Sequence, residues 1–218
     1  MKLPIHREGW PFIVAAALIN VLLFLGVWWA GWLFLPITLW VAAFFRDPER
    51  TPPNGAGLLV SPADGRFLPV VHAAPPPELG LGAEKRLRLS IFMDVFNVHV
   101  NRIPCNGTVT TLAYRPGKFF NASFDKASED NERMSIRIRA EGLGPAAKDV
   151  AVVQIAGLVA RRIVCNLQEG QSVCRGDRFG IIRFGSRLDI YLPDGARVLA
   201  SAGQSVRAGE TALADFPN

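Results

Sequence analysis

The chain has few cysteines and histidines and, over one long stretch, no charge at all. It has 218 residues, of which three are cysteines and three are histidines. Cys105, Cys165 and Cys174 are too few and too far apart for a zinc site, and their odd number argues against a disulfide framework. The net charge is +5, but no Lys/Arg-rich run with interleaved aromatic residues is present. We therefore expect neither a metal nor a nucleic-acid partner.

The stretch without charge covers residues 10–45. A single helix of that length would measure about 54 Å at about 1.5 Å per residue, against about 30 Å of hydrocarbon in a bilayer. Gly26, Gly31 and Pro36 interrupt the stretch. The sequence therefore predicts a membrane-associated hairpin of two helices, joined near Trp28 to Trp32, with tryptophans suited to the membrane interface.

Basic residues flank the uncharged stretch on both sides. Lys2 and Arg7 precede it, and Arg46 and Arg50 follow it. The positive-inside tendency then places residues 1–9 and the rest of the chain on the cytoplasmic face of the cell membrane, and the net positive charge suits an anionic lipid surface. A cleaved signal peptide is the alternative, but the stretch is long for one and no small-residue cleavage site ends it.

Beyond the uncharged stretch, residues 46–56 form a charged, proline-rich linker, and residues 57–218 are expected to form one catalytic domain. Short β-rich runs between Gly and Pro residues predict strands at Leu58–Ser61, Arg86–Phe92, Val98–Ile103, Thr108–Tyr114, Met134–Arg139, Val150–Ile155, Phe179–Phe184 and Leu188–Leu192. Helices are expected at Phe120–Asp125 and Leu158–Val164. The predicted fold is mainly β, with an N-terminal hydrophobic helical hairpin.

The sequence contains one internal repeat. Residues 170–177, GQSVCRGD, recur as residues 203–210, GQSVRAGE. In each copy one Gly begins a turn and a second Gly with an acid closes a tight hairpin, which is also typical of biotinyl and lipoyl carrier domains and barrel-sandwich hybrids. A carrier needs a Lys at the hairpin tip, and here the tips are Cys174-Arg175 and Arg207-Ala208. The repeat therefore favours a β domain like a barrel-sandwich hybrid without a carrier function.

Gly185-Ser186 lies among apolar residues that look like a strand, where neither residue is a usual choice. If the Ser186 hydroxyl attacks the Gly185 carbonyl, an ester forms, and elimination and hydrolysis then leave a pyruvoyl group at a new N-terminus. A glycine bulge followed by an ordinary serine is the alternative for this pair taken alone.

Six motifs, in this order and spacing, resemble the short form of the phosphatidylserine decarboxylase family over nearly the whole chain. They are Phe44-Phe45-Arg46-Asp47-Pro48, Ser61 to Gly65, Val98 to Pro104, Pro116 to Phe119, Ser128 to Arg133, and Phe184-Gly185-Ser186. The resemblance implies a self-cleaving, pyruvoyl-dependent enzyme that converts phosphatidylserine in the membrane to phosphatidylethanolamine and carbon dioxide. It also implies a β chain of residues 1–185 and an α chain of residues 186–218.

Within this resemblance, Asp64 is expected to orient His99, which takes the Ser186 proton as in a Ser-His-Asp triad. The pyruvoyl group made from Ser186 would form a Schiff base with the substrate amine and accept electrons as carbon dioxide leaves. His99 is also the candidate acid for reprotonation of the substrate α-carbon. The lipid phosphate needs cationic donors, for which the candidates are Arg115, Lys118 and Arg133.

The chain departs from the long-form members of that family in two places. They carry Leu-Gly-Ser-Thr at the cleavage point, whereas this chain has Phe184-Gly185-Ser186-Arg187. They also have two histidines before the Pro-Cys-Asn-Gly stretch, and here His99 occupies the first position and Arg102 the second. Either His99 performs both roles, or Arg102 and Asp64 assist cleavage in another arrangement.

Two other functions stay open at this stage. The first is a serine hydrolase that uses Asp64, His99 and Ser186 without self-cleavage, although the Gly-x-Ser-x-Gly elbow is absent. The second is a non-enzymatic, membrane-tethered adaptor with a barrel-sandwich domain. The sequence leaves undetermined the acyl chains, the choice among seryl phospholipids, and the oligomeric state, for which a homodimer is one alternative.

Overall fold

The computed structural model describes residues 4–118, 130–144, 148–157, 162–183 and 186–217. These residues form helices α1 (Trp10–Gly26) and α2 (Trp28–Phe44), followed by fifteen β-strands. The strands are β1 (Leu58–Val60), β2 (Gly65–Phe67), β3 (Val71–Ala73), β4 (Arg86–Met93), β5 (Val100–Arg102), β6 (Gly107–Arg115), β7 (Arg133–Ala140), β8 (Lys148–Ala156), β9 (Ile163–Cys165), β10 (Ser172–Val173), β11 (Arg178–Ile182), β12 (Ser186–Tyr191), β13 (Arg197–Val198), β14 (Ser205–Val206) and β15 (Ala212–Asp215). The mainly β fold with an N-terminal helical hairpin is thereby confirmed.

The hairpin of α1 and α2 turns at Val27, one residue before the junction predicted from the sequence. A Cβ at Gly31 would lie only 2.5 Å from the ring of Phe24, so glycine is what allows the helices to approach closely at this point. The Asn20 side chain crosses between the helices and donates to the Gly31 carbonyl at 2.9 Å. Pro36 lies inside α2 without ending it.

Apolar side chains cover the outside of the hairpin. Leu22, Leu25 and Leu33 are all exposed, with Leu25 at 81%. By length and composition, the segment Arg7–Gly26 could cross a membrane, and the second apolar helix is shorter. Because large apolar side chains on both helices face outward, the hairpin is not the core of a soluble domain.

All the strand pairs described are antiparallel, and they form three open sheets. The largest has the order β10-β6-β7-β8-β12-β4-β2-β14, with β3 also paired to β4, and the two smaller sheets are β1-β15-β13 and β5-β11-β9. None of them closes into a barrel within the described residues. One face of the large sheet packs against the main core, which includes Leu188 and Ile190 of β12.

The predicted strands are all present. The predicted helix Leu158–Val164 is wrong over the residues that the structure describes. Ile163 and Val164, placed in a helix by the sequence analysis, lie in β9 and pair with β11. Two adjacent β-branched residues favour a strand when a partner edge is available. Residues 158–161 and the other predicted helix, Phe120–Asp125, lie outside the described residues.

The internal repeat forms two equivalent hairpins, and each packs on a second repeated segment that the sequence analysis did not identify. Val206 pairs with Gly65, and Val173 pairs with Gly107. The paired segments are Ser61-Pro62-Ala63-Asp64-Gly65 and Ile103-Pro104-Cys105-Asn106-Gly107. Ser61 and Ile103 each form two backbone hydrogen bonds with residues at the tip of the hairpin, to Gly209 and Thr211 in one copy and to Gly176 and Asp177 in the other.

The end of the helical hairpin packs directly on the β domain. Phe44 and Phe45 are fully buried in a cluster with Val98, Val100 and Ile181 of the small sheet. This contact joins the apolar hairpin to the strands that carry the residues predicted for catalysis.

Candidate active site

Ser186 begins β12 in the middle of the large sheet, where it is fully buried. It pairs with Met93 of β4 on one side and with Ala156 of β8 on the other. Its hydroxyl donates a weak hydrogen bond to the Met93 sulfur at 3.9 Å. Alternation along the strand directs the Ser186 side chain to the core face that Leu188 also lines. Gly185, the other half of the predicted cleavage pair, lies outside the described residues.

His99 lies just before β5 and is also fully buried. Its ring stacks on the ring of Phe44, with centroids 4.1 Å apart and an angle of 28°. Nδ1 lies 3.0 Å from the Asn97 carbonyl oxygen, which favours the tautomer with the proton on Nδ1. Nε2 has no hydrogen-bond partner among the described residues. The ring therefore presents an unpaired nitrogen inside the protein.

Burial lowers the pKa of His99 to about 4, and the Asn97 carbonyl and Asp94 oppose this only in part. A buried imidazole without a counter-charge is easier to keep neutral than protonated. At neutral pH, His99 is therefore uncharged and its Nε2 can accept a proton.

Two short connections bring His99 and Ser186 to the same end of the domain. Met93, the pairing partner of Ser186, leads through residues 94–98 directly to His99. On the other side, Val100 pairs with Ile181 of β11, and β11 leads to Ser186 through residues 183–185. The strand register thus places the histidine next to Val100, which pairs with β11, the strand that precedes Ser186 in the chain.

Two further buried polar side chains lie next to Ser186. Asn101 Nδ2 donates to the same Met93 sulfur at 3.8 Å, and Gln154 Nε2 donates to Asn101 Oδ1 at 2.8 Å. Both residues are fully buried. The sequence analysis missed them, although a glutamine inside the apolar strand Val150–Ile155 is a signal that could have identified one. They hold β4, β5 and β8 together around Ser186.

Asp64 forms a different set of contacts. Its Oδ1 accepts from the Ala208 backbone N–H at 2.7 Å, and its Oδ2 accepts from Arg50 at 3.0 Å. Arg50 also binds Glu210 at 2.9 Å. Burial raises the pKa of Asp64, and the Ala208 N–H and Arg50 lower it less than burial raises it. Within the described residues no hydrogen bond joins Asp64 to His99.

Arg102, at the position of the second family histidine, binds the linker. Its guanidinium donates to the Gly176 and Pro48 carbonyls at 2.9 and 2.8 Å, and lies 3.4 Å from Asp47. These contacts hold the linker against the hairpin tip at Gly176.

Two of the three candidate phosphate contacts line one cavity of about 410 Å³. Arg115 and Arg133 reach it together with Arg88. Arg133 is held by Glu78, to which it donates two hydrogen bonds of 2.7 and 3.0 Å. Arg133 shares a row with Arg187, so by alternation its side chain lies on the sheet face opposite the Ser186 hydroxyl. The backbone of the third candidate, Lys118, forms an isolated parallel β-bridge with Asn131, which adjoins the cavity-lining residue Asp130.

Comparisons with known proteins identify the family of this chain. A sequence profile described as phosphatidylserine decarboxylase matches residues 37–214. A relative from Paramagnetospirillum magneticum, named phosphatidylserine decarboxylase proenzyme, is 57% identical over 98% of this chain and 87% of its own length. A protein of the same name from Cereibacter sphaeroides is 55% identical over 98% of this chain and 90% of its own length. The chain therefore belongs to the phosphatidylserine decarboxylase family, and it is an enzyme of the carboxy-lyase class.

Proposed function

We infer that the protein is a self-cleaving, pyruvoyl-dependent phosphatidylserine decarboxylase that acts at the cytoplasmic face of the cell membrane. The observation that carries this proposal is the buried Nε2 of His99, which has no hydrogen-bond partner in the described structure. The next residue, Val100, pairs with Ile181 of the strand that precedes Ser186 in the chain. The relatives named as proenzymes of this family support it.

Self-cleavage begins with attack of Ser186 Oγ on the Gly185 carbonyl carbon, while the hydroxyl proton passes to His99 Nε2. The proton then moves to the amide nitrogen as the C–N bond breaks, and an ester links the two halves. Loss of the Ser186 α-proton expels the carboxylate of residue 185. Hydrolysis of the resulting enamine releases ammonia and leaves the ketone. Because His99 is neutral at pH 7, it can accept the proton without prior deprotonation.

The pyruvoyl group derived from Ser186 supplies a carbonyl that takes up the electrons released when carbon dioxide leaves. His99 is the residue that we assign to proton delivery at the substrate α-carbon, after its Nε2 has taken up the proton that the substrate ammonium loses. The burial that lowers its pKa also makes its protonated form a strong acid, which suits that step.

Asp64 holds the two products of cleavage together in this proposal. After cleavage its bond to Ala208 joins residues 1–185 to residues 186–218, as do the pairs of β12 with β4 and β8. The α and β chains thus remain partners of one folded domain. Asp64 is then a positioning residue that holds the α chain through Ala208.

The helical hairpin brings the site to its lipid substrate. Its exposed apolar surface suits a bilayer, and the basic residues at both ends favour a cytoplasmic location for the domain. For the phosphate of phosphatidylserine we retain Arg115, Lys118 and Arg133. The support is the arginine-lined cavity, which Tyr191 of β12 also lines.

Replacement of Ser186 tests the proposal directly. The wild-type protein should appear as two chains, 1–185 and 186–218, under denaturing conditions, whereas Ser186→Ala should remain one inactive chain. Ser205→Ala, at an exposed serine of the same C-terminal segment, is the matched control and should cleave normally. Two chains from Ser186→Ala, or an uncut wild-type chain that still releases carbon dioxide, would contradict the proposal. An uncut, hydrolytic wild-type chain would indicate the serine hydrolase.

The role of His99 is tested separately. His99→Gln should slow self-cleavage at least a hundredfold, which is the lower end of what general-base catalysis contributes. His72→Gln, at an exposed histidine, should cleave at the wild-type rate. Cleavage of His99→Gln at the wild-type rate would remove this residue from the mechanism.

A further inference from the structure

The loop between β4 and His99 presents one large apolar side chain to the outside. Phe96 is 71% exposed, although the residues on either side of the loop, Met93 and Val98, are buried. A single exposed apolar residue is common on protein surfaces and carries no meaning alone. For Phe96, the position of the loop and its ordered backbone point to a function for the exposed ring.

Hydrogen bonds fix the shape of this loop. Asp94 Oδ1 accepts from the Phe96 N–H at 2.8 Å, and Asn97 Oδ1 accepts from the Asp94 N–H at 2.8 Å. The Asn97 N–H donates to the Asp94 carbonyl at 3.1 Å. These local bonds close a tight turn, so the exposed ring is held outward by an ordered backbone.

The same loop is attached to the end of the helical hairpin through one guanidinium. Arg46 donates to the Ala43 carbonyl in the last turn of α2 and to the Phe96 carbonyl, in both cases at 2.7 Å. Arg46 is also the first charged residue after the apolar stretch. Phe96 therefore lies at the level where the apolar hairpin ends and the charged linker begins, which is where aromatic residues collect in membrane proteins.

We propose that the loop 94–97 is a second membrane contact, in which the Phe96 ring enters the interface of the bilayer beside the base of the hairpin. The contact rests on continuity with the apolar hairpin. It deepens the proposed function, because the Asn97 carbonyl of this loop contacts His99 Nδ1 and so the loop would bring lipid next to the reacting histidine.

A fluorescent probe can locate the loop without any measurement of activity. In a background with Cys165→Ser and Cys174→Ser, an NBD group is attached at Phe96→Cys, and the intact protein is reconstituted in phosphatidylcholine vesicles with an anionic lipid. Cys105 is buried and its thiol pKa is raised to about 12, so it should not react. A nitroxide near the lipid headgroup should quench this probe at least threefold more than the same probe at Leu199→Cys.

Leu199 is a suitable control because it is exposed and lies near the Ser201–Gln204 turn. That turn is at the opposite end of its hairpin from Gly209, which packs against Arg50 of the linker. Equal quenching at the two positions would overturn the proposal, and stronger quenching at position 96 would support it. Neither result depends on the protein being a decarboxylase.

Turnover gives a second measurement, which rests on the proposed function. Phe96→Ser should raise KM for phosphatidylserine in vesicles about three- to tenfold relative to KM for a short-chain, monomeric phosphatidylserine. Leu199→Ser should leave this ratio unchanged. An unchanged ratio for Phe96→Ser would contradict the loop contact, whereas a complete lack of decarboxylation by the wild type would contradict only the proposed function.

Discussion

The two copies of the internal repeat share a scaffold and differ in charge. In the first copy, Asp64 Oδ1 accepts from the Ala208 N–H at 2.7 Å, and in the second, Asn106 Oδ1 accepts from the Arg175 N–H at 2.8 Å. The two acceptors occupy the same place in equivalent segments, and only Asp64 also binds Arg50. The bond to the hairpin tip therefore does not require a carboxylate, and the additional contact of Asp64 is an ion pair with the linker residue Arg50.

Both copies bind the linker, but the positively charged side chain comes from the hairpin tip in one copy and from the linker in the other. In the second copy, Arg175 donates to linker carbonyls, among them Pro53 at 2.9 Å and Gly55 at 3.1 Å. In the first copy the linker supplies the cation, since Arg50 reaches Asp64 and Glu210. The two copies therefore have similar backbones but different side-chain contacts with the linker.

The largest expected effect concerns Gly65 and Gly107, which occupy corresponding positions in the two copies. A Cβ at Gly65 would lie 2.2 Å from the Phe92 carbonyl oxygen, and one at Gly107 would lie 2.3 Å from that of Arg139. We expect Gly65→Ala and Gly107→Ala each to lower the free energy of unfolding by about 3 kcal/mol, because backbone must move in both. Denaturant unfolding in the uncut Ser186→Ala background measures this.

Gly26→Ala, which has open space around it, is the control for that measurement and should change the free energy of unfolding by less than about 1 kcal/mol. If one of the paired glycines tolerated alanine and the other did not, the two copies would not be equivalent scaffolds.

The first copy has Asp64 where the second has Asn106, and replacing the aspartate by asparagine tests the effect of this difference in charge. Asp64→Asn keeps an acceptor for Ala208, so we expect it to cost about 1 kcal/mol and to cleave itself within about threefold of the wild-type rate. Asp64→Ala leaves the Ala208 N–H and Arg50 without this partner and should cost about 2–3 kcal/mol. Asn106→Ala, at an exposed position, should cost about 1 kcal/mol. Unfolding curves and the time course of chain cleavage measure both effects.

A different outcome would restore the triad suggested by the sequence. If Asp64→Asn folded with nearly wild-type stability and failed to cleave, the carboxylate would act in proton transfer rather than in holding Ala208.

The smallest expected effect is a pH dependence confined to the first copy. Burial raises the pKa of Asp64 above its ordinary value. At pH values between the ordinary and the raised pKa, the native state binds more protons than the unfolded state. The Asp64 carboxyl therefore makes the free energy of unfolding fall as pH rises. The stability of Asp64→Asn relative to wild type should therefore increase as pH is raised through that window. Asn106→Asp, at an exposed site, should show no slope relative to wild type in that window. Because this variant adds a carboxyl, a fall in its relative stability as pH rises would show that the second copy also raises a carboxyl pKa, and would contradict the assignment.

Local patterns predicted most of the fold because they depend on neighbouring residues. The lack of charge in residues 10–45 predicted the hairpin, and β-rich runs predicted the long strands. The repeat of the hairpins was visible at a fixed offset in sequence. Its counterpart, Ser61–Gly65 with Ile103–Gly107, was missed because only Pro and Gly are identical between the two segments, and their equivalence becomes clear once each packs on its hairpin.

The candidate site was less accessible from sequence because it depends on long-range register. The contact of Gln154 with Asn101 requires β8 and the short sheet to face each other across the core. The partners of Asp64 come from the linker and from the C-terminal hairpin, which no local pattern relates to it. Motif resemblance identified Asp64, His99 and Ser186 by position, but their mutual geometry follows only from the packed sheets.

The stacking of Phe44 on His99 makes the burial of the histidine depend on the apolar hairpin. The last residue of the second helix excludes water from one face of the imidazole, and that dryness keeps the ring uncharged. A shortened protein that lacks residues 1–45, about a fifth of the chain, would therefore differ at this histidine, because water would replace the phenyl ring and the pKa of His99 would rise towards its ordinary value.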